Sequence, residues 1–252
     1  MSSEDVARRL AQVRDRVATA CTAAGRGADE VQVLLASKTM DVATVRAALL
    51  ADAAARDAGS TAPPVLLGEN RVQELVAKAP ALVDLSPTWH VIGPLQSNKV
   101  NAALRWASAV ESVADDALAR RLSDRVRERD VPLDVWVQVN VSGEATKHGA
   151  EPAAAADLAA RVAALPGLRL AGFMTVGARS TDERVVRAGF ARLRDVRDEV
   201  VRSGAPGTGD AHGLSMGMSG DLEMAVAEGA TVVRVGTAVF GSRPAPAAPA
   251  AG

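Results

Sequence analysis

Short apolar runs alternate with helix-patterned stretches along nearly the whole chain, and that alternation is what most limits its fold. The strand-like runs are Val31–Ala36, Val65–Leu67, Trp89–Ile92, Ala109–Ser112, Leu133–Val141, Leu168–Phe173, Gly213–Met216 and Thr231–Val235. Helical periodicity fills intervals between them, as in Asp115–Arg129, Glu151–Leu165 and Glu183–Val201. One further helix pattern precedes them all: Val6, Leu10, Val13 and Val17 recur at steps of four and three after Ser2-Ser3, and Gly25 and Gly27 end it. Strands separated by helices pair in parallel through right-handed crossovers. Eight such units in 252 residues predict an α/β protein, a single (β/α)8 TIM barrel with an extra N-terminal helix. An open doubly wound sheet is the alternative, since the seventh run is short and glycine-rich. Two stretches fall outside the pattern. Ala51–Pro64 reads as a long connection, and residues 243–252 as a Pro/Ala-rich tail expected to be disordered, which leaves residues 1–242 as one barrel domain.

Composition removes several classes of function. A net charge of −1 leaves no excess of cations to neutralise phosphates, so a general nucleic-acid binder is not expected. Cys21 stands alone, which excludes an internal disulfide framework and suits a reducing cytoplasm. No apolar run has the length of a membrane span, and the chain opens on Met1-Ser-Ser-Glu-Asp rather than on a basic leader. The expectation is a cytoplasmic protein that engages neither membrane nor nucleic acid. His90, His148 and His212 are far apart in sequence, so no metal site is expected, and His90 in its apolar run reads as a satisfied core histidine. Neither a P-loop, a nucleophile elbow nor a GxGxxG after a strand is present.

In barrels of this kind chemistry sits at the C-terminal ends of the strands. The closing segment places Ser219-Gly220, as a helix start, and Gly236-Thr237, after the VVRV run, at two such ends. Together they form a cup of backbone N–H groups suited to a phosphate. Asp221 and Glu223 would compete with an anion there unless they face away. Arg234, if inward, is a buried cation in need of an acceptor: a core carboxylate such as Glu111 or Glu228, a phosphate, or a heteroaromatic ring nitrogen. Lys38 directly follows the first strand, where its stem can cross the barrel mouth and its amine act as a nucleophile towards an aldehyde, giving a Schiff base. Position alone favours an exposed loop lysine over this role. Asn70 and Ser97-Asn98 each stand where a helix is about to start, and read first as caps.

The motifs LLASKTM, LGENRVQE, WHVIGPLQSNK, VQVNVSGEATKHG, GFMTVG and LSMGMSGDLEMAVAEGATVVRVGTAVFG occur in this order from the first helix to about Gly241. In this the chain resembles the pyridoxal phosphate homeostasis proteins, which are similar to the N-terminal barrel domain of alanine racemase. The resemblance implies pyridoxal 5′-phosphate as cofactor and Lys38 as the Schiff-base lysine. It further implies Ser219, Gly236 and Thr237 at the phosphate, Arg234 facing the pyridine nitrogen, and Asn70 and Met174 near the ring. The chain departs from the pattern in the length of Ala51–Pro64 and in Met40, where a second basic residue is common.

An arginine at the pyridine nitrogen donates a hydrogen bond without readily giving up its proton, so the ring is a poorer electron sink than one paired with a carboxylate. A two-base racemase of the related type also needs a tyrosine opposite the lysine, and this chain contains none. The expected role is therefore a non-catalytic, monomeric carrier that buffers the cofactor and passes it to apo forms of enzymes that use it, with no catalytic residue of its own. Lys147, after the fifth strand, reads as a solvated loop lysine or as a transient acceptor of the aldehyde. The alternatives are a pyridoxal-phosphate enzyme acting on amino acids and, less favoured, a barrel aldolase.

Overall fold

A computed structural model of the chain describes residues 1–144 and 147–241. Its strands are β1 (Gln32–Ala36), β2 (Leu66–Glu69), β3 (Trp89–Val91), β4 (Ala107–Val113), β5 (Leu133–Gln138), β6 (Leu168–Met174), β7 (Gly213–Ser215) and β8 (Val232–Val235). They follow one another around a closed parallel barrel. β1 decides between barrel and open sheet, because it pairs with β2 on one side and with β8 on the other, from Gln32↔Val232 to Leu35↔Val235. The doubly wound alternative is thus overturned. The tail expected over 243–252 lies outside the described residues.

The helices are α1 (Ser3–Ala23), α2 (Val42–Asp57), α3 (Val72–Lys78), α4 (Val100–Ala103), α5 (Asp116–Val126), α6 (Pro152–Ala163), α7 (Glu183–Ser203), α8 (Leu222–Ala227) and α9 (Thr237–Phe240). Ser2 caps α1 by accepting the Asp5 N–H at 3.1 Å, and the stripe Val6, Leu10, Val13, Val17 is buried. Gly25, at φ 67°, takes the left-handed turn that ends it. α2 corrects the expected long connection, since Ala51–Asp57 are its last two turns. Asp41 caps it through the Thr44 N–H (2.7 Å), and Val45, Ala48, Leu49 and Asp52 form its buried face. Its alanines are helix surface that packs closely, not linker. Among the described residues no helix is long and apolar enough to cross a membrane, and no group of three or more His, Cys, Asp or Glu side chains could hold a metal ion.

Side chains alternate along each strand between helix layer and barrel interior. On β1, Leu35 joins the outer core, whereas Leu34 meets Leu66, Trp136, Met174 and Val232 inside. The Trp136 indole presses on β7 at Gly213, where an added Cβ would overlap the ring. Gly213→Ala is therefore expected to lower stability by about 1–3 kcal/mol through overpacking, read from the urea unfolding midpoint.

Candidate functional site

Continuing the alternation of β1 past Ala36 sends Ser37 outward and Lys38 towards the barrel mouth. Ser37 is fully buried, and its Oγ donates to Glu69 Oε1 at 2.8 Å. Lys78 Nζ donates to the Ser37 carbonyl (2.8 Å), Glu69 Oε1 (2.8 Å) and Glu74 Oε2 (3.2 Å). Glu74 Oε2 also accepts the Thr39 N–H at 2.6 Å. Sequence reasoning missed this cluster, although the i, i+4 spacing of Glu74 and Lys78 was a visible signal. Glu69 Oε2 is buried without a hydrogen-bond partner. Burial pushes the Glu69 carboxyl up, and the bonds from Lys78 and Ser37 offset only part of that. The folded protein then keeps this proton where the unfolded chain has released it. Stability accordingly falls as pH rises from about 4.3, the value of a free glutamate, through the raised value. Glu69→Gln is expected to flatten this slope in urea unfolding measured as a function of pH.

Lys38 opens onto a cavity of about 720 Å³, within the range of small-molecule sites. Asn70, Ser219, Arg234, Gly236 and Thr237 share its lining with Lys38. Six of the seven residues expected at a cofactor site are thereby brought together. Met174 is the seventh. It lies in the barrel interior among Leu34, Leu66, Trp136 and Val232, outside that lining. Asn70 does not cap α3, which starts after Arg71 without a side-chain cap, and Ser97–Lys99 form a short 3-10 turn of their own rather than a capped start. Lys147 also reaches the cavity, and donates to Glu144 Oε1 (2.7 Å) and the Gly177 carbonyl (3.0 Å). Among the described residues, four cations of the lining (Lys38, Lys147, Arg179, Arg234) stand with a single carboxylate, Glu144, so the cavity suits a multiply charged anion.

Arg234 is buried, and its guanidinium donates to the Ser215 carbonyl (2.6 Å), Ser215 Oγ (2.7 Å) and the Thr175 carbonyl (2.5 Å). Ser215 Oγ in turn donates to Glu111 Oε2 at 2.6 Å, while Glu111 Oε1 lies 2.6 Å from His90 Nδ1. The core-carboxylate expectation is met indirectly, through Ser215. Glu228 is not the partner, because it pairs with Arg187 and Arg194 in the helix layer. Burial alone would raise the Glu111 carboxyl, but His90, the Arg234 charge and Ser215 together hold it below the usual range. Burial pulls the Arg234 guanidinium down, opposed by the charges of Glu111 and Asp221.

The expected cup is tied across its middle, with Ser219 Oγ accepting the Ala238 N–H at 3.3 Å. α8 begins two residues later than expected, with Asp221 rather than Ser219-Gly220 at its N-cap. Asp221 is occupied by the Met218 N–H (2.5 Å), and Glu223 faces away in an ion pair with Arg16 at 2.7 Å. At Gly236 a Cβ would stand 3.3 Å from the Ala36 carbonyl, between two residues of the lining, so glycine keeps that floor open.

The chain matches the model of the alanine racemase N-terminal domain over residues 5–244. It is 41% identical over 238 residues to the pyridoxal phosphate homeostasis protein of Pseudomonas aeruginosa, covering 94% of this chain and 96% of that one. The chain belongs to the pyridoxal phosphate homeostasis protein family. A solved structure of an unknown protein from Bifidobacterium adolescentis, 40% identical, superposes at a TM-score of 0.86 over 94% of this chain and 95% of its own. PipY of Synechococcus elongatus, solved with PLP bound, is 33% identical, with a TM-score of 0.76 over 94% of this chain and all of PipY (100%). The fold of these two structures is thus shared along nearly the full length of the chain.

Proposed function

We propose that this chain is a pyridoxal phosphate-binding protein that holds the cofactor reversibly on Lys38 as a Schiff base and serves its homeostasis and delivery, without racemase activity. One observation carries the reading: a primary amine, a buried guanidinium and the hydroxyl and glycine groups of two loops line the same cavity. The donor set fits the group. Ser219, Gly236 and Thr237 would hold the phosphate, Arg234 would meet the pyridine nitrogen, and Asn70 would flank the ring. When bound, the cofactor supplies an aldehyde that condenses reversibly with an amine and releases water.

The chain's own residues favour holding over turnover. Arg234 is locked by Ser215 and Thr175, and keeps a proton that it does not readily pass on. With no tyrosine anywhere in the sequence, the second base of a racemase is missing. The reading takes the protein to be a cytoplasmic monomer whose partners are apo forms of enzymes that use the cofactor. Support comes from the PLP bound to PipY and from the names of the curated relatives.

The test is chemical trapping. Protein incubated with pyridoxal phosphate and reduced with borohydride is expected to carry the cofactor's mass on the peptide containing Lys38. Mass found only on other lysines would overturn the assignment. Turnover of amino acids above that of a Lys38→Ala control would replace the carrier by an enzyme.

A further inference from the structure

Lys78 ends α3 and is buried, yet it does not line the cavity. Burying an ammonium among carboxylates seldom adds net stability, so this cluster calls for another account. The two peptide units that flank Lys38 supply one. The unit from Ser37 to Lys38 is held by its carbonyl, which accepts from Lys78 Nζ at 2.8 Å. The unit from Lys38 to Thr39 is held by its N–H, which donates to Glu74 Oε2 at 2.6 Å. Lys78 Nζ and Glu74 Oε2 are themselves joined at 3.2 Å. The φ and ψ of Lys38 are the rotations between those two peptide planes. Fixing both planes fixes the direction in which the side chain leaves the backbone. Thr39 sits at φ 67°, a region β-branched residues avoid and keep only where surrounding contacts impose it. The Met40 N–H closes the turn on the Ser37 carbonyl at 3.0 Å.

We infer that Lys78 and Glu74 are positioning residues for Lys38, which set its main-chain dihedrals so that its amine meets the cofactor's aldehyde carbon in a reactive geometry. The inference rests on Lys38 being the attachment residue. In the step concerned, the Lys38 nitrogen attacks the carbonyl carbon and a C=N bond replaces C=O. The oxygen leaves as water with both protons of the neutral amine, so neither oxidant nor reductant is needed. Neither Lys78 nor Glu74 touches the reacting atoms. Their effect is one of alignment, to which such steps are sensitive at the scale of an ångström.

Two ligands separate positioning from mere support of the fold: pyridoxal phosphate, and pyridoxine 5′-phosphate, which has an alcohol in place of the aldehyde and cannot form the bond. Lys78→Met and Glu74→Ala are expected to weaken pyridoxal phosphate by about tenfold or more while the alcohol binds within about twofold of wild type. Glu74→Gln retains an acceptor for the Thr39 N–H and is expected to bind the aldehyde within about threefold of wild type. Equal losses for both ligands, or no loss for the aldehyde, overturn the inference. Should Lys78→Met not fold, the two Glu74 variants decide between these outcomes alone. A wild-type protein without a Lys38-dependent absorption band overturns the attachment reading itself, before any positioning variant is compared.

Discussion

Lys38→Ala is expected to abolish the absorption band of the bound cofactor and to leave nothing for borohydride to fix. The rest of the cavity is expected to stay intact in this variant, because Ser219, Gly236 and Thr237 stand on the loops after β7 and β8 and Arg234 is held from below by Ser215 and Thr175. Binding should therefore weaken rather than vanish, on the order of a hundredfold or ~2.7 kcal/mol at 25 °C. Equilibrium dialysis would show this as residual affinity without colour. Retained colour in the variant would move the attachment point to another amine, Lys147 being the next in the cavity.

The second large effect is one of folding. Glu111→Leu removes the carboxylate that joins His90 to Ser215 and, through Ser215, faces Arg234. A buried guanidinium then loses its nearest compensating charge, a change expected to cost about 3–5 kcal/mol in urea unfolding. A loss below about 1 kcal/mol would mean that the carbonyls of Ser215 and Thr175 carry Arg234 unaided. The pH dependence has the opposite sign to that of Glu69. The folded Glu111 carboxyl is depressed, so its contribution is complete above the free-glutamate value, about 4.3, and disappears as pH falls through the lower folded value. Glu111→Gln should remove that part of the acid sensitivity.

The barrel was legible because its signal is periodic. Runs such as Leu168–Phe173 and Thr231–Val235 lie close to strands β6 and β8. α2 was not legible for the opposite reason: a helix surfaced with alanine has weak contrast between its faces, and its buried Asp52 looks polar until Arg14 and Arg56 are seen beside it. Lys38, Arg234 and the two glycine loops announced themselves by standing at strand ends. The support beneath them did not. Ser215 is one serine in a glycine-rich run, and its bond to Glu111 joins residues 104 apart in sequence. Lys78 looks like an ordinary helix-surface cation until the fold buries it against the turn after β1.

The seam at which β1 meets β8 has a consequence for how the protein is made. Lys38 follows the first strand and Gly236 the last, so the cavity straddles the point where the two ends of the barrel meet. The amine leaves the ribosome early in synthesis, but Arg234 and the glycine floor come some two hundred residues later. A nascent chain therefore carries a lysine that reacts with aldehydes no more selectively than any other. On the proposed reading, selective capture begins only when the last strand of the barrel completes the ring.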